Sequence, residues 1–137
     1  AILGDISSGR TAQLSNAITA QDISVTNTNN TWTISGTGGA ITLDGTLTKS
    51  GAGTLLIQTS VPLAGDGSVI LDGGEAQLIN NTNTFSGGVT LNAGTLRVGV
   101  NNGTGNPQTA GSLATGTFTI NGGTFYHTQG NVRDQAV

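Results

Sequence analysis

From Ile23 onward the chain alternates apolar and polar residues in short runs, each closed by a polar or glycine-containing bend. The runs read ISVTNT, TWTIS, AITLDG, TLTKSG, TLLIQT, SVILDG, AQLIN, VTLNAG, TLRVG, TFTING and TFYHT. A period of two with Val, Ile and Thr enriched is the pattern of a half-buried strand, because successive side chains of a strand point to opposite faces. Each run is therefore expected to be a strand, with Leu, Ile, Val and Phe inward and Thr or Asn outward or at the bends.

One strand-turn-strand unit repeats. Val69-Ile70-Leu71-Asp72-Gly73-Gly74-Glu75-Ala76, Val89-Thr90-Leu91-Asn92-Ala93-Gly94-Thr95-Leu96 and Phe118-Thr119-Ile120-Asn121-Gly122-Gly123-Thr124-Phe125 align without gaps. The Asn or Asp of the unit stands at 72, 92 and 121, spacings of 20 and 29 residues that suit one solenoid coil with a loop of variable length. Asp-Gly and Asn-Gly between strands are also the strongest signal for an antiparallel hairpin, so turn chemistry alone leaves solenoid and sandwich level. The constancy of the unit against variable insertions favours the solenoid, since stacked coils tolerate loops that a sandwich with fixed partners does not. About six coils at a rise of about 4.8 Å would make a rod about 30 Å long.

Residues 1–22 break the pattern and are expected to form a separate N-terminal cap or assembly segment ahead of a solenoid over 23–137. Leu14, Ala17, Ile18 and Gln21 fall at helical spacing, with Ser15 or Asn16 able to cap. Three readings stay open for this segment: a small helical cap, a strand added to a neighbouring molecule, or another irregular coil.

Composition agrees with an all-β chain. Gly, Thr and Asn supply 59 of the 137 residues, which are turn and strand formers and poor helix formers. Cysteine is absent, which removes disulfides, thiolate metal sites and cysteine nucleophiles, and suits a chain that crosses an oxidising compartment unfolded. The net charge is −3 and the cations Arg10, Lys49, Arg97 and Arg133 are spread along the chain. No basic patch is there to neutralise phosphates or an anionic leaflet, so neither nucleic acid nor a membrane surface is expected as partner. No run approaches the roughly 20 apolar residues of a membrane span, and the start Ala1-Ile2-Leu3-Gly4 carries no charged-then-apolar signal, so the chain reads as a processed or excised piece.

Two stretches resemble a known family. Leu47-Thr48-Lys49-Ser50-Gly51-Ala52-Gly53-Thr54-Leu55-Leu56-Ile57 and the later Asn83-Thr84-Phe85-Ser86-Gly87-Gly88-Val89-Thr90-Leu91-Asn92-Ala93-Gly94-Thr95-Leu96-Arg97-Val98-Gly99 are similar to the autotransporter-associated β-strand repeat, also called the passenger-associated transport repeat. The resemblance implies a right-handed parallel β-helix (β-solenoid), a structural role in a secreted or surface-exposed bacterial passenger, and no catalytic residues. In the family the two halves are nearly contiguous. Here residues 58–80 intervene, about one coil, a length that would keep the stacking register.

The residues that could carry chemistry are few. His127 is the only histidine and has no second histidine for a metal and no evident triad partner. The acids Asp5, Asp22, Asp44, Asp66, Asp72, Glu75 and Asp134 are scattered, and those at Asp-Gly bends are explained by turn chemistry. Asp72 and Glu75 with Arg97 one coil on form the one trio that a β-helix polysaccharide lyase or hydrolase would use, an analogy at the level of fold. Gly65-Asp66-Gly67 and Asp72-Gly73-Gly74 lack the tandem nonapeptide of calcium-binding repeats. Asn29, Asn80 and Asn102 begin Asn-X-Thr sequons of a kind expected by chance in a chain this rich in Asn and Thr. Trp32, Phe85, Phe118, Phe125 and Tyr126 are spaced as core residues more than as a sugar platform.

No catalytic, cofactor-binding or metal-binding residue is therefore assigned, and no cofactor is expected. The chain is expected to be a non-enzymatic extracellular or cell-surface solenoid, a stalk or spacer of an adhesin-like passenger. Its partners would be the neighbouring coils of a larger passenger, and a host or matrix surface. Two other readings are kept: a secreted subunit that polymerises end to end through its open solenoid ends, and the β-helix enzyme.

Overall fold

A computed structural model describes residues 1–7, 10–99 and 112–127. These residues form strands and turns and no helix. The first coil carries β1 (Ile2–Leu3), β2 (Thr11–Leu14) and β3 (Ile18–Ala20). The second carries β4 (Ile23–Val25), β5 (Thr31–Gly36) and β6 (Ile41–Leu43). The third carries β7 (Thr46–Lys49), β8 (Thr54–Ile57) and β9 (Leu63–Ala64). Further coils follow with two described strands each: β10 (Ser68–Leu71) and β11 (Glu75–Leu78), β12 (Val89–Leu91) and β13 (Thr95–Val98), β14 (Phe118–Ile120) and β15 (Thr124–His127).

Strands stack on their counterparts one coil away. One six-stranded sheet runs β1-β4-β7-β10-β12-β14, the other β2-β5-β8-β11-β13-β15, and a third, three-stranded sheet runs β3-β6-β9. The pairings between these strands are parallel. The molecule is thus a parallel β-solenoid. The Asp72-Gly73-Gly74 and Asn92-Ala93-Gly94 bends are not hairpin turns: β10 and β11 lie in different sheets, and the bend is the corner between them. Gly74 shows why glycine stands at that corner. Its φ is +68°, and a Cβ there would lie 2.3 Å from the carbonyl oxygens of Gly51 and Gly53 in the coil below, so no other residue fits without moving backbone.

Register sets the core. Leu3, Val25, Lys49, Leu71, Leu91 and Ile120 occupy one inward row of the first sheet. Trp32, Leu55, Ala76, Leu96 and Phe125 occupy one of the second, and Ile34, Ile57, Leu78, Val98 and His127 another. In the middle coils the Leu, Ile and Val side chains of these rows are buried, each contributing about 1.5–3 kcal/mol of burial. Where the third sheet stops after β9, Phe85 fills the interior on that side and Asn83 bridges coils, accepting from the Leu63 amide at 2.8 Å and donating to the Ser112 carbonyl at 2.8 Å.

The halves of the family-like pattern are β7–β8 and the stretch through β12–β13. Residues 58–80 between them supply β9, β10 and β11, with Ser68 paired to Thr46 and Glu75 to Thr54, so the insertion is a coil in register. The described part of residues 1–22 forms a coil of the same sheets. Ala12 pairs with Ile34 and Ile18 with Ile41. The helically spaced Leu14 and Ile18 end β2 and begin β3. A Thr- and Ser-rich segment this short cannot sustain a lone helix, whereas rung pairing satisfies its backbone at once.

Candidate functional site

Outward side chains of the second sheet carry the densest polar chemistry. Leu56, Gln77, Arg97 and Tyr126 form one outer row, with Glu75 beside it. The Arg97 Nε donates to Glu75 Oε1 at 2.9 Å, and Gln77 Nε2 donates to the same oxygen at 2.5 Å. The Arg97 guanidinium lies 4.6 Å from the Tyr126 ring centroid, a cation–π contact one coil further on. The fold therefore brings together Glu75 and Arg97 of the trio considered from sequence. Asp72 is held apart from them in another task. Its Oδ1 accepts from Asn92 Nδ2 at 2.7 Å, and Asn92 Oδ1 accepts from Asn121 Nδ2 at 2.7 Å. The three aligned corner residues are a ladder of side-chain hydrogen bonds whose direction Asp72 fixes, since a carboxylate can only accept.

The remaining acids in bonded positions tie one coil to the next. Asp5 Oδ1 accepts from the Thr28 amide at 2.8 Å and Oδ2 from the Thr28 hydroxyl at 2.5 Å, and these bonds hold its carboxyl below the usual carboxylate value. Asp22 Oδ1 accepts from the Thr46 amide at 2.9 Å, and Asp66 Oδ1 from the Ser86 hydroxyl at 3.1 Å. Asp44 is exposed at a bend, and Asp134 lies outside the described residues. Among the described residues no three of His, Cys, Asp and Glu gather where a metal ion could be held. His127 ends β15 opposite Val98.

Sequence reasoning missed one cluster. Lys49 sits inward between Val25 and Leu71 and is wholly buried. Its Nζ donates to the carbonyls of Ser50 and Gly51, the latter at 2.8 Å. Burial pushes its pKa below the ordinary lysine value, and the Asp5 carboxylate opposes that shift. Gly74 makes room for the ammonium, because a Cβ there would lie 2.9 Å from Nζ. In the coil below, buried Asn27 donates through Nδ2 to the carbonyls of Asn30 and Thr54, the latter at 3.1 Å, while its Oδ1 finds no protein partner. The signal was in the run TLTKSG: counting by two from Leu47 points Lys49 inward.

Of the sequons, Asn29 is exposed. Asn80 is buried, with its Nδ2 on the Thr59 carbonyl at 2.7 Å and its Oδ1 on the Thr82 amide at 2.7 Å, so its amide nitrogen is spent on the fold. Asn102 lies outside the described residues. Trp32 and Phe85 are core residues, Trp32 donating its Nε1 to the Gly4 carbonyl at 2.8 Å. Phe118 packs on Phe125 with centroids 4.9 Å apart. No described helix is long and apolar enough to cross a membrane. No family model, curated protein or solved structure matches the chain.

Proposed function

We propose that this chain is a non-enzymatic structural segment, a stalk or spacer in a surface-exposed or secreted bacterial passenger. The observation that carries the reading is the use to which its polar side chains are put. Asp5, Asp22, Asp66, Asp72, Asn83, Asn92 and Asn121 each bond to the coil above or below, so the chemistry of the chain is spent on stacking. The similarity of residues 47–57 and 83–99 to the passenger repeat supports the extracellular setting, and so does the absence of cysteine.

The trio Asp72, Glu75 and Arg97 supports an enzyme less well. Asp72 is bound in the corner ladder and Glu75 is compensated by Arg97 and Gln77, whereas glycoside hydrolysis needs two carboxyl groups facing one bond. The test is to insert one, two or three copies of the chain between a bacterial surface anchor and a fluorescent label. A spacer moves the label outward in equal steps of about 30 Å per copy, from about 4.8 Å per coil. Label heights that do not grow with copy number, or cleavage of uronate or neutral glycans that Glu75→Gln abolishes, would overturn it.

A further inference from the structure

The Asn-X-Thr sequons at Asn29 and Asn80 lie within the described residues, and the fold treats them in opposite ways. An N-glycosylation acceptor needs a free carboxamide nitrogen and a hydroxyl two residues on. At Asn80 both are engaged: its Nδ2 donates to the Thr59 carbonyl at 2.7 Å, and the Thr82 hydroxyl donates to its Oδ1 at 2.7 Å. The residue is 3% exposed, so a sugar on that nitrogen would have to break the contact between coils. At Asn29 both groups are open. Asn29 and Thr31 are exposed, and neither the Asn29 carboxamide nor the Thr31 hydroxyl makes a hydrogen bond with the described residues.

The bend that carries Asn29 holds it outward. Strand β4 ends at Val25 and β5 begins at Thr31, so this corner runs over residues 26–30, against 72–74, 92–94 and 121–123 in later coils. The strands on both sides keep register, Val25 with Lys49 and Thr31 with Thr54, so the extra residues have to bulge off the stack. The residues around Asn29 are pinned. Thr28 gives its amide and its hydroxyl to Asp5 at 2.8 and 2.5 Å, and buried Asn27 bonds across the bend to the Asn30 carbonyl. That carbonyl also accepts from the Thr54 amide at 2.9 Å, and Asn30 Nδ2 reaches the Ile6 carbonyl at 3.5 Å. The side chains of Asn27, Thr28 and Asn30 thus fasten the bend, while those of Asn29 and Thr31, the two that a transferase reads, are left to solvent.

We propose that Asn29 is the acceptor of an N-linked glycan, added after the coils have stacked, and that Asn80 is not. The bond formed joins Asn29 Nδ2 to the anomeric carbon of a sugar. The bond broken joins that carbon to the diphosphate of a nucleotide- or lipid-linked donor, and the amide proton passes to a base of the transferase as the diphosphate leaves. The timing follows from Asn80: a transferase that met the unfolded chain would find its sequon open, and a sugar there would stop Nδ2 from reaching the Thr59 carbonyl. The glycan goes beyond the spacer reading and fails apart from it, since a chain bare at Asn29 that still sets a label at stepped heights loses the glycan and keeps the spacer.

The test is peptide mapping by mass spectrometry of the chain recovered from its own producing cells, paired with transfer in vitro to the purified folded chain. The probe in vitro is UDP-glucose with a soluble N-glycosyltransferase selected for accepting peptides of residues 25–33 and 76–84 alike. The native chain is expected to carry sugar on the Asn29 peptide and none on the Asn80 peptide, and the folded chain in vitro to gain one hexose at Asn29. Asn80 can react only through local opening, so its rate in the folded chain is expected to fall about 100-fold or more below that of its peptide. Asn29→Gln and Thr31→Val should each abolish transfer to the bend while keeping the wild-type β circular dichroism spectrum, and Thr31→Ser should retain it. Native peptides bare at Asn29, a folded chain that takes no sugar there, ready transfer to Asn80 of the folded chain, or unchanged transfer to Thr31→Val would each overturn the proposal.

Discussion

Lys49 occupies a position that five other coils give to Leu3, Val25, Leu71, Leu91 and Ile120. Desolvation of its ammonium lowers the folded-state pKa below the ordinary 10.5. Between those two values the unfolded chain binds one proton more than the folded one, so stability rises with pH across that window and levels off above 10.5. Urea unfolding from pH 7 to 11 should show this rise, and Lys49→Met should abolish it. The same substitution removes the desolvation of the charge but also the donor to the Ser50 and Gly51 carbonyls, the latter packed under Gly74, so stability at pH 7 is expected to stay within about 1 kcal/mol of the wild type. Asp5 also makes stability rise with pH, but in the acid range and because its charged form is favoured in the fold. Its carboxyl is lowered by the Thr28 bonds, so its contribution is present above the unfolded carboxylate value and is lost as pH falls through the lowered one. Asp5→Asn should flatten that acid limb, read by thermal melts between pH 2 and 5.

At the scale of the element, the corner between β10 and β11 combines two demands. Gly74 has positive φ and lies against backbone, so Gly74→Ala is expected to cost about 2 kcal/mol or more, from left-handed strain added to a carbonyl clash. Asn92 must donate downward and accept from above. Asn92→Asp keeps its size, yet sets a second carboxylate against Asp72 and removes the donor; a loss of about 1 kcal/mol is expected at pH 7, recovered in part at pH 4, where one of the two carboxyls takes a proton. These corners explain how far the fold was readable beforehand. The strands β4 to β8 and β10 to β15 were legible because Val, Ile, Leu and Thr alternate through them with a glycine or asparagine bend after each. β1 to β3 were not, because their inward row is Leu3, Ala12, Leu14, Ile18 and Ala20 set among Thr, Ser and Gln, too weak a period to beat a helical count. β9 has two residues, too few for any period to register. The hairpin alternative could not be dismissed from Asp-Gly and Asn-Gly, since the same φ demand serves a corner and a tight turn. The acids were legible as bend residues but their partners were not: that Asp72 meets Asn92 while Glu75 meets Arg97 follows from inter-coil register, which depends on loop lengths and on pairing across about 20 residues.

For the whole molecule, contacts run from each coil to the next, so stability is a sum of nearest-neighbour terms along one axis. Among the described residues, a coil with neighbours on both sides keeps its inward row dry, while Ile18, Ile120 and Phe125 of the outermost coils are exposed. Amide hydrogen exchange should therefore be slowest in β7, β8, β10 and β11 and quicken stepwise toward β1 to β3 and toward β14 and β15. Leu55→Ala tests the coupling. Leu55 is fully buried in a row between Trp32 and Ala76, so its truncation is expected to cost about 2–5 kcal/mol. In a one-dimensional stack the lost protection should be largest in β5, β8 and β11 and fade within a coil or two on either side. Uniform loss of protection across all the sheets would instead mean that the chain unfolds as one unit.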